Sequence, residues 1–346
     1  MIVAITKNLG TDVADQLIEA VGTQGMLENV ALRGDGCYVV SFQGGEALAE
    51  SLSKNPLVER VHSISGPWGL VARESSEAKI VQVGPGLSFG GTQLPVIAGP
   101  CSVENDQILS QIAESIKKSG ATGLRGGAFK PRTSPYAFQG LGDPGLVMLA
   151  KARRAFGLPV VTEVMGPDEV DRVAEHSDML QIGSRNIQNF RLLEAVGRTN
   201  TPVLLKRGMM STLDEFLGAA EYIYMRGNEN IVLCERGIRS FEPRMRNTLD
   251  LGSVALLKQL THLPVIVDPS HGTGLSELVG PMARAAVAVG ADGLMMEVHP
   301  RPELAKSDGR QTLDFVEFDE LMQELEPIAK AMGRCIRAPK AASAQA

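Results

Sequence analysis

The chain has 346 residues, 44% hydrophobic and 21% charged, with 37 Gly, 19 Pro and a formal net charge of −6. A chain of that length buries most of its apolar surface without disulfides or a structural metal. No apolar run approaches the roughly 18 residues of a bilayer span, and an acidic balance without a basic tail disfavours nucleic acid as a partner. The four cysteines, at 37, 101, 234 and 335, form no CxxC pair, which argues against a zinc finger or a secreted disulfide scaffold and fits a reducing, cytoplasmic setting. The opening MIVAITKNLG turns polar by position 6, too early for a signal-peptide core.

Residues 1–73 are expected to form a small α+β unit. MIVAITK reads as a strand, 11–21 as a helix behind a Thr/Asp cap, and VALRGDGCYVVSF as two strands about a Gly34-Asp35-Gly36 turn. A second helix over 46–52 and the strand VERVHSIS, lengthened by GPWGLVARE, complete the β-α-β-β-α-β order of a ferredoxin-like domain. Residues 74–94 read as a linker and a short Gly-rich hairpin. From residue 95 to 335 the pattern changes to eight apolar runs: PVIAGPC, ATGLRGG, PVVTEVM, MLQIGSR, PVLLKRG, NIVLCERG, PVIVDPSHG and GLMMEVHP. Helical segments alternate with them, at 106–119, 145–156, 168–175, 190–196, 212–226, 250–260, 276–289 and 318–332. Runs apolar throughout suit strands covered on both faces, and this number of units matches a (β/α)8 TIM barrel. A doubly wound dinucleotide fold is the alternative, but GxGxxG is missing between the first strand and helix. Residues 336–346, beginning just before APKAASAQA, read as a disordered tail.

Side chains at the C-terminal ends of barrel strands share one mouth. Here those ends carry Cys101, Arg125, Glu163, Arg185, Lys206 and Arg207, Glu235 and Arg236, Asp268 and His271, and Glu297 and His299. Cys101, His271 and Glu297, with Asp308 from the loop after the eighth strand, make a candidate S/N/O/O metal site. Such a mixed ligand set accepts Mn, Fe, Co or Zn. A lone cysteine is ordinarily a small buried hydrophobe, so the argument rests on the four together. Arg125, Lys130, Arg132, Arg185, Lys206, Arg207 and Arg236 form a cationic set whose crowding calls for more than one anionic group on the substrate.

Longer strings then become specific. IAGPCSVE (97–104), LRGGAFKPRTSPYAFQGLG (124–142), QIGSRN (181–186), VLLKRG (203–208), LCERGIRSFE (233–242), VDPSHG (267–272) and EVHP (297–300) resemble 3-deoxy-D-arabino-heptulosonate 7-phosphate (DAHP) synthase, in the short microbial form with an N-terminal ferredoxin-like domain. The resemblance implies a transferase that condenses phosphoenolpyruvate with erythrose 4-phosphate and water, the first step of the shikimate pathway to chorismate and the aromatic amino acids. It implies that Cys101, His271, Glu297 and Asp308 hold one divalent ion. Arg125, Lys130, Ser184, Arg185, Lys206 and Arg236 match the phosphoenolpyruvate clamp, and Asp268 joins the binding residues. Arg132 and Thr133 match the erythrose 4-phosphate clamp. Glu163 is assigned the attacking water, with Cys101, Lys130 and His271 as the other catalytic residues.

Relatives imply a homotetramer, and the small domain reads as a sensor of tyrosine or phenylalanine, with a folding or oligomerisation unit as its other reading. Two rivals share the barrel. The octulosonate 8-phosphate synthase uses arabinose 5-phosphate and typically carries KANRSS where this chain has KPRTS. A Schiff-base aldolase would use a neutral lysine such as Lys206.

Overall fold

The computed structural model describes residues 1–74, 78–132 and 134–336. β1 (Ile2–Thr6), α1 (Val13–Val21), β2 (Met26–Leu32), β3 (Tyr38–Gln43), α2 (Glu46–Ser53) and β4 (Val58–Ser63) follow the expected order and make an antiparallel sheet arranged β2-β3-β1-β4. Alternation along β1 divides its side chains. Ile2 and Ala4 pack with Leu17, Leu48 and Leu52 under the two helices. Val3 and Ile5 face the other way and join the large core shared with the barrel.

A two-strand hairpin, β5 (Val81–Gly84) and β6 (Leu87–Phe89), precedes the barrel. β7 (Val96–Gly99), α3 (Asp106–Ser119), β8 (Gly123–Arg125), α4 (Asp143–Phe156), β9 (Val160–Glu163), α5 (Val170–His176), β10 (Met179–Ile182) and α6 (Phe190–Gly197) form its first half. β11 (Val203–Lys206), α7 (Leu213–Met225), β12 (Ile231–Glu235), α8 (Leu251–Leu260), β13 (Val265–Val267), α9 (Pro269–Thr273), α10 (Ser276–Ala288), β14 (Leu294–Glu297) and α11 (Phe315–Ala331) form its second. All eight apolar runs are strands of one closed parallel barrel. The short α9 was not expected: the Asp268 side chain caps it and Pro269 opens it.

Position along each strand decides what faces the barrel axis. Ile97, Val161, Met179, Leu204, Val232, Ile266 and Met295 make one apolar layer, closed from below by Val81, Leu87 and Phe89 of the hairpin. Two residues further on, the same inward face carries Glu163, Gln181, Lys206, Asp268 and Glu297. The polar mouth therefore stands on an apolar floor.

The segment 66–73 does not lengthen β4. Its backbone is captured by the barrel instead, where Glu221 of α7 accepts the N–H groups of Gly69, Leu70 and Val71 at 3.0, 2.8 and 3.0 Å. Elsewhere on this boundary Glu229 pairs with Arg33, Arg60 and Lys79 at 3.0, 2.6 and 3.0 Å. In the hairpin turn Gly36 takes a φ of 84°, while Gly34 permits close approach, since a Cβ there would lie 2.5 Å from the Arg198 carbonyl oxygen. Of the expected disordered tail, residues 337–346 lie outside the described residues; Ile336 is buried.

Candidate active site

The structure gathers Cys101, His271, Glu297 and Asp308 at the mouth, with one donor atom from each lying within 4.8 Å of the others. Cys101 Sγ is 3.1 Å from Asp308 Oδ2, and His271 Nε2 is 3.4 Å from Glu297 Oε1. One sulfur, one imidazole nitrogen and two carboxylate oxygens suit a divalent transition ion. Asp268 is fully buried and fixes the imidazole. Burial alone would push its carboxyl up, but its partners His271 and Lys206 outweigh this and hold it well below the usual range. An ionised carboxylate only accepts, so His271 Nδ1 donates to Asp268 Oδ2 at 2.8 Å and Nε2 is left bare toward the cluster. Lys206 Nζ donates to the same oxygen at 2.6 Å. Arg125 Nη1 donates to Glu297 Oε1 at 2.7 Å.

Around this cluster lies a cavity of about 130 Å³ lined by Lys130, Arg132, Glu163, Ser184, Arg185, Lys206, Arg236 and Arg246 among others. Arg132, Arg185 and Arg236 form no ion pair among the described residues; Arg132 and Arg236 reach only backbone carbonyls, at 3.2 and 3.3 Å. Burial lowers the Arg236 pKa from its ordinary value, the mark of a cation without its counterion. Lys130 Nζ sits 3.0 Å from Cys101 Sγ; burial opposes its charge, but Cys101 and Glu163 outweigh burial and raise its pKa. Glu163 Oε2 accepts from Gln181 Nε2 at 3.2 Å and borders the cavity.

Some expectations are redistributed. Arg207 does not join the cationic wall: it is buried beside Glu235 at 2.9 Å and Asp250 at 3.1 Å. The cause is alternation, since Lys206 and Arg236 point inward and their neighbours Arg207 and Glu235 point toward the helices and neutralise each other. His299 likewise stays outside the cavity, with Nδ1 on the Arg301 carbonyl at 2.8 Å. Thr133 lies outside the described residues. Arg246 and Gln311 went unanticipated. Arg246 reaches Asp308 Oδ1 at 3.4 Å and Gln311 Oε1 at 2.8 Å, and Gln311 Nε2 reaches Glu297 Oε2 at 2.6 Å.

Comparison with known proteins agrees with this geometry. The DAHP synthetase I family matches residues 77–331. A phospho-2-dehydro-3-deoxyheptonate aldolase from Thermotoga maritima is 49% identical over 305 residues, 88% of either chain. A 2-dehydro-3-deoxyphosphooctonate aldolase from Methylobacterium radiotolerans is 34% identical over 276 residues, covering 74% of this chain and 96% of the other. The crystal structure of the Thermotoga maritima DAHP synthase aligns with a TM-score of 0.76 at 44% identity over 96% of this chain and 98% of that one. A truncated form of the Thermotoga enzyme aligns with 78% of this chain and 99% of its own, with a TM-score of 0.73 and 48% identity. The chain belongs to the DAHP synthetase I family, metal-dependent enzymes that join phosphoenolpyruvate to erythrose 4-phosphate at the head of the shikimate pathway.

Proposed function

We propose that the DAHP synthase reaction takes place in this cavity, with Cys101, His271, Glu297 and Asp308 holding one divalent ion (Mn, Fe, Co or Zn) and the cationic wall holding both substrates. The observation that carries the assignment is the opening of three arginines without an ion pair among the described residues, Arg132, Arg185 and Arg236, onto the cavity beside the S/N/O/O donor set. Two phosphate esters and a carboxylate bring about five negative charges at neutral pH, the load such a wall offsets. Arg125, Lys130, Ser184, Arg185, Lys206 and Arg236 hold phosphoenolpyruvate, and Asp268 orients His271 and Lys206. Arg132, followed by Thr133, receives the phosphate of erythrose 4-phosphate.

When bound, the ion supplies Lewis acidity to the aldehyde oxygen. The protein orients C3 of phosphoenolpyruvate toward the aldehyde carbon, and a water ordered by Glu163 adds at C2 before phosphate departs by C–O cleavage. Gln181 holds Glu163 for that task. Lys130 is held protonated and Lys206 is ion-paired with Asp268, so neither offers the free amine that a Schiff base needs.

The test is phosphate release from phosphoenolpyruvate with each aldose. Release with erythrose 4-phosphate, lost in chelator, is expected; release only with arabinose 5-phosphate, or full turnover of metal-free protein, overturns the reading. In the same assay Arg132→Ala should raise the KM for erythrose 4-phosphate about 10- to 100-fold, the worth of a charged hydrogen bond, and move that for phosphoenolpyruvate far less. Equal shifts would mean that the two clamps are assigned the wrong way round.

The N-terminal domain is assigned to sensing tyrosine or phenylalanine, within a cytoplasmic homotetramer. In support, it has its own apolar core and places no residue in the cavity. All four cysteines are free thiols, and no helix among the described residues is long and apolar enough to cross a membrane. Removing residues 1–65, which leaves Gly69–Val71 on Glu221, should abolish inhibition by these amino acids while turnover persists. An intact enzyme indifferent to both would sink the sensing role, and light scattering that gives any mass but the tetramer's would sink the assembly.

A further inference from the structure

We infer that Gln311 and Arg246 are positioning residues that restrict the two acidic ligands, Glu297 and Asp308, to one coordinating oxygen apiece. The inference deepens the metal-site assignment above and rests on it. Gln311 is buried and ends the short turn Gly309–Gln311 that follows Asp308. It lies beside β14 because Leu313 N donates to the Glu297 carbonyl at 2.9 Å and His299 N donates to the Leu313 carbonyl at 3.0 Å. A backbone bridge thus fixes the distance between a ligand and its neighbour.

The orientation of the Gln311 amide follows from its partners. Arg246 can only donate, so the group 2.8 Å from its Nη1 is the amide oxygen. The amide nitrogen must then face Glu297 Oε2, at 2.6 Å. The other oxygen, Oε1, is the one facing His271 Nε2 at 3.4 Å. Asp308 repeats the arrangement. Its Oδ1 is held by Arg246 at 3.4 Å, while Oδ2 lies 3.1 Å from Cys101 Sγ and 3.9 Å from His271 Nε2. Each carboxylate therefore has one oxygen taken by Gln311 or Arg246 and one turned to the centre; of these, Glu297 Oε1 also accepts from Arg125 Nη1 at 2.7 Å and keeps its second lone pair for the side of His271. Four protein atoms, one from each residue, would then hold the ion.

The test uses the full-length protein loaded with Co(II) alone, with affinity measured by chelator competition and geometry by the visible absorption spectrum. Gln311→Met keeps the side-chain volume and removes both hydrogen bonds; Arg246→Met, on a half-buried side chain, frees the Gln311 amide and Asp308 Oδ1 without opening the core. Both variants should bind Co(II) more weakly, by about 10- to 100-fold for Gln311→Met and less for Arg246→Met, the usual effect of losing an outer hydrogen bond to a ligand. Their ligand-field bands should also weaken as the freed carboxylate oxygen raises the coordination number. A wild-type spectrum and affinity in Gln311→Met overturns the inference, and Arg246→Met decides the matter if the first variant does not fold. The failure of the underlying assignment looks different: wild-type protein would then show no thiolate-to-cobalt band, or one that survives Cys101→Ser.

Discussion

Cys101→Ala is expected to leave the protein folded, without bound metal, and with turnover lowered on the order of 10³-fold. That figure takes the Lewis-acid contribution as several kcal/mol and each 1.36 kcal/mol as a factor of ten. The side chain is 4% exposed and removing its sulfur takes away one of four donors. The pH dependence of metal uptake follows from the same site. Burial, and then the charge of Glu297, push the Cys101 thiol up to about 12, so in metal-free protein it is protonated at neutral pH. Burial pushes His271 down, so its imidazole is already neutral. Glu297 and Asp308 are lowered against the opposing effect of burial, Glu297 by His271 and Arg125 and Asp308 by His271 and Arg246, so both are already ionised. Uptake must therefore displace one proton, from Cys101, and apparent affinity rises with pH below that value. Calorimetry in buffers of different ionisation enthalpy reads the proton directly. A Cys101→Ala protein that keeps a full equivalent of metal, or uptake that releases no proton, would refute the thiolate assignment.

The second large effect is expected at Asp268, which is fully buried and serves three donors: His271 N at 2.9 Å, His271 Nδ1 at 2.8 Å and Lys206 Nζ at 2.6 Å. Asparagine has the same shape but one oxygen and one NH2 group. Asp268 Oδ2 accepts both the imidazole and the lysine and Oδ1 accepts the His271 backbone N–H, so the NH2 meets a donor on whichever side it lies. With the NH2 on the Oδ2 side the imidazole turns or changes tautomer, with it on the Oδ1 side the cap of α9 is lost, and either way Lys206 loses its counterion in a buried place, a loss worth about 3–5 kcal/mol when a buried pair is broken. Asp268→Asn should lower metal affinity and kcat about 10- to 100-fold each and lower the melting temperature. Wild-type metal affinity in that variant would show that His271 needs no carboxylate behind it.

How much of the site can be read from the chain depends on what holds each residue. Cys101, Arg125, Glu163, Lys206, Arg236 and Glu297 are legible because a barrel strand gives its last residues one destination. The same rule misplaces Arg207 and Glu235 when side-chain alternation is ignored, since inward and outward positions follow each other by a single residue. His271 is legible by its position after a strand, although the helix α9 that carries it is too short to leave a periodic pattern. Arg246 and Gln311 carry no such signal. They lie on connections whose paths are set by contacts distant in sequence, such as the bridge between Val298 and Leu313. Gly34 is a similar case: GDG reads locally as a turn, but one of its glycines is required by the approach of Arg198 from the barrel.

The β5–β6 hairpin, which closes the base of the barrel with Val81, Leu87 and Phe89, separates the fate of the catalytic chamber from that of the ferredoxin-like module. Because this cork belongs to the stretch after residue 78, the base of the barrel keeps its apolar cover when the module is clipped off or swapped for another appendage. The front of the chain can then be exchanged by recombination while the packed base of the barrel stays as it is.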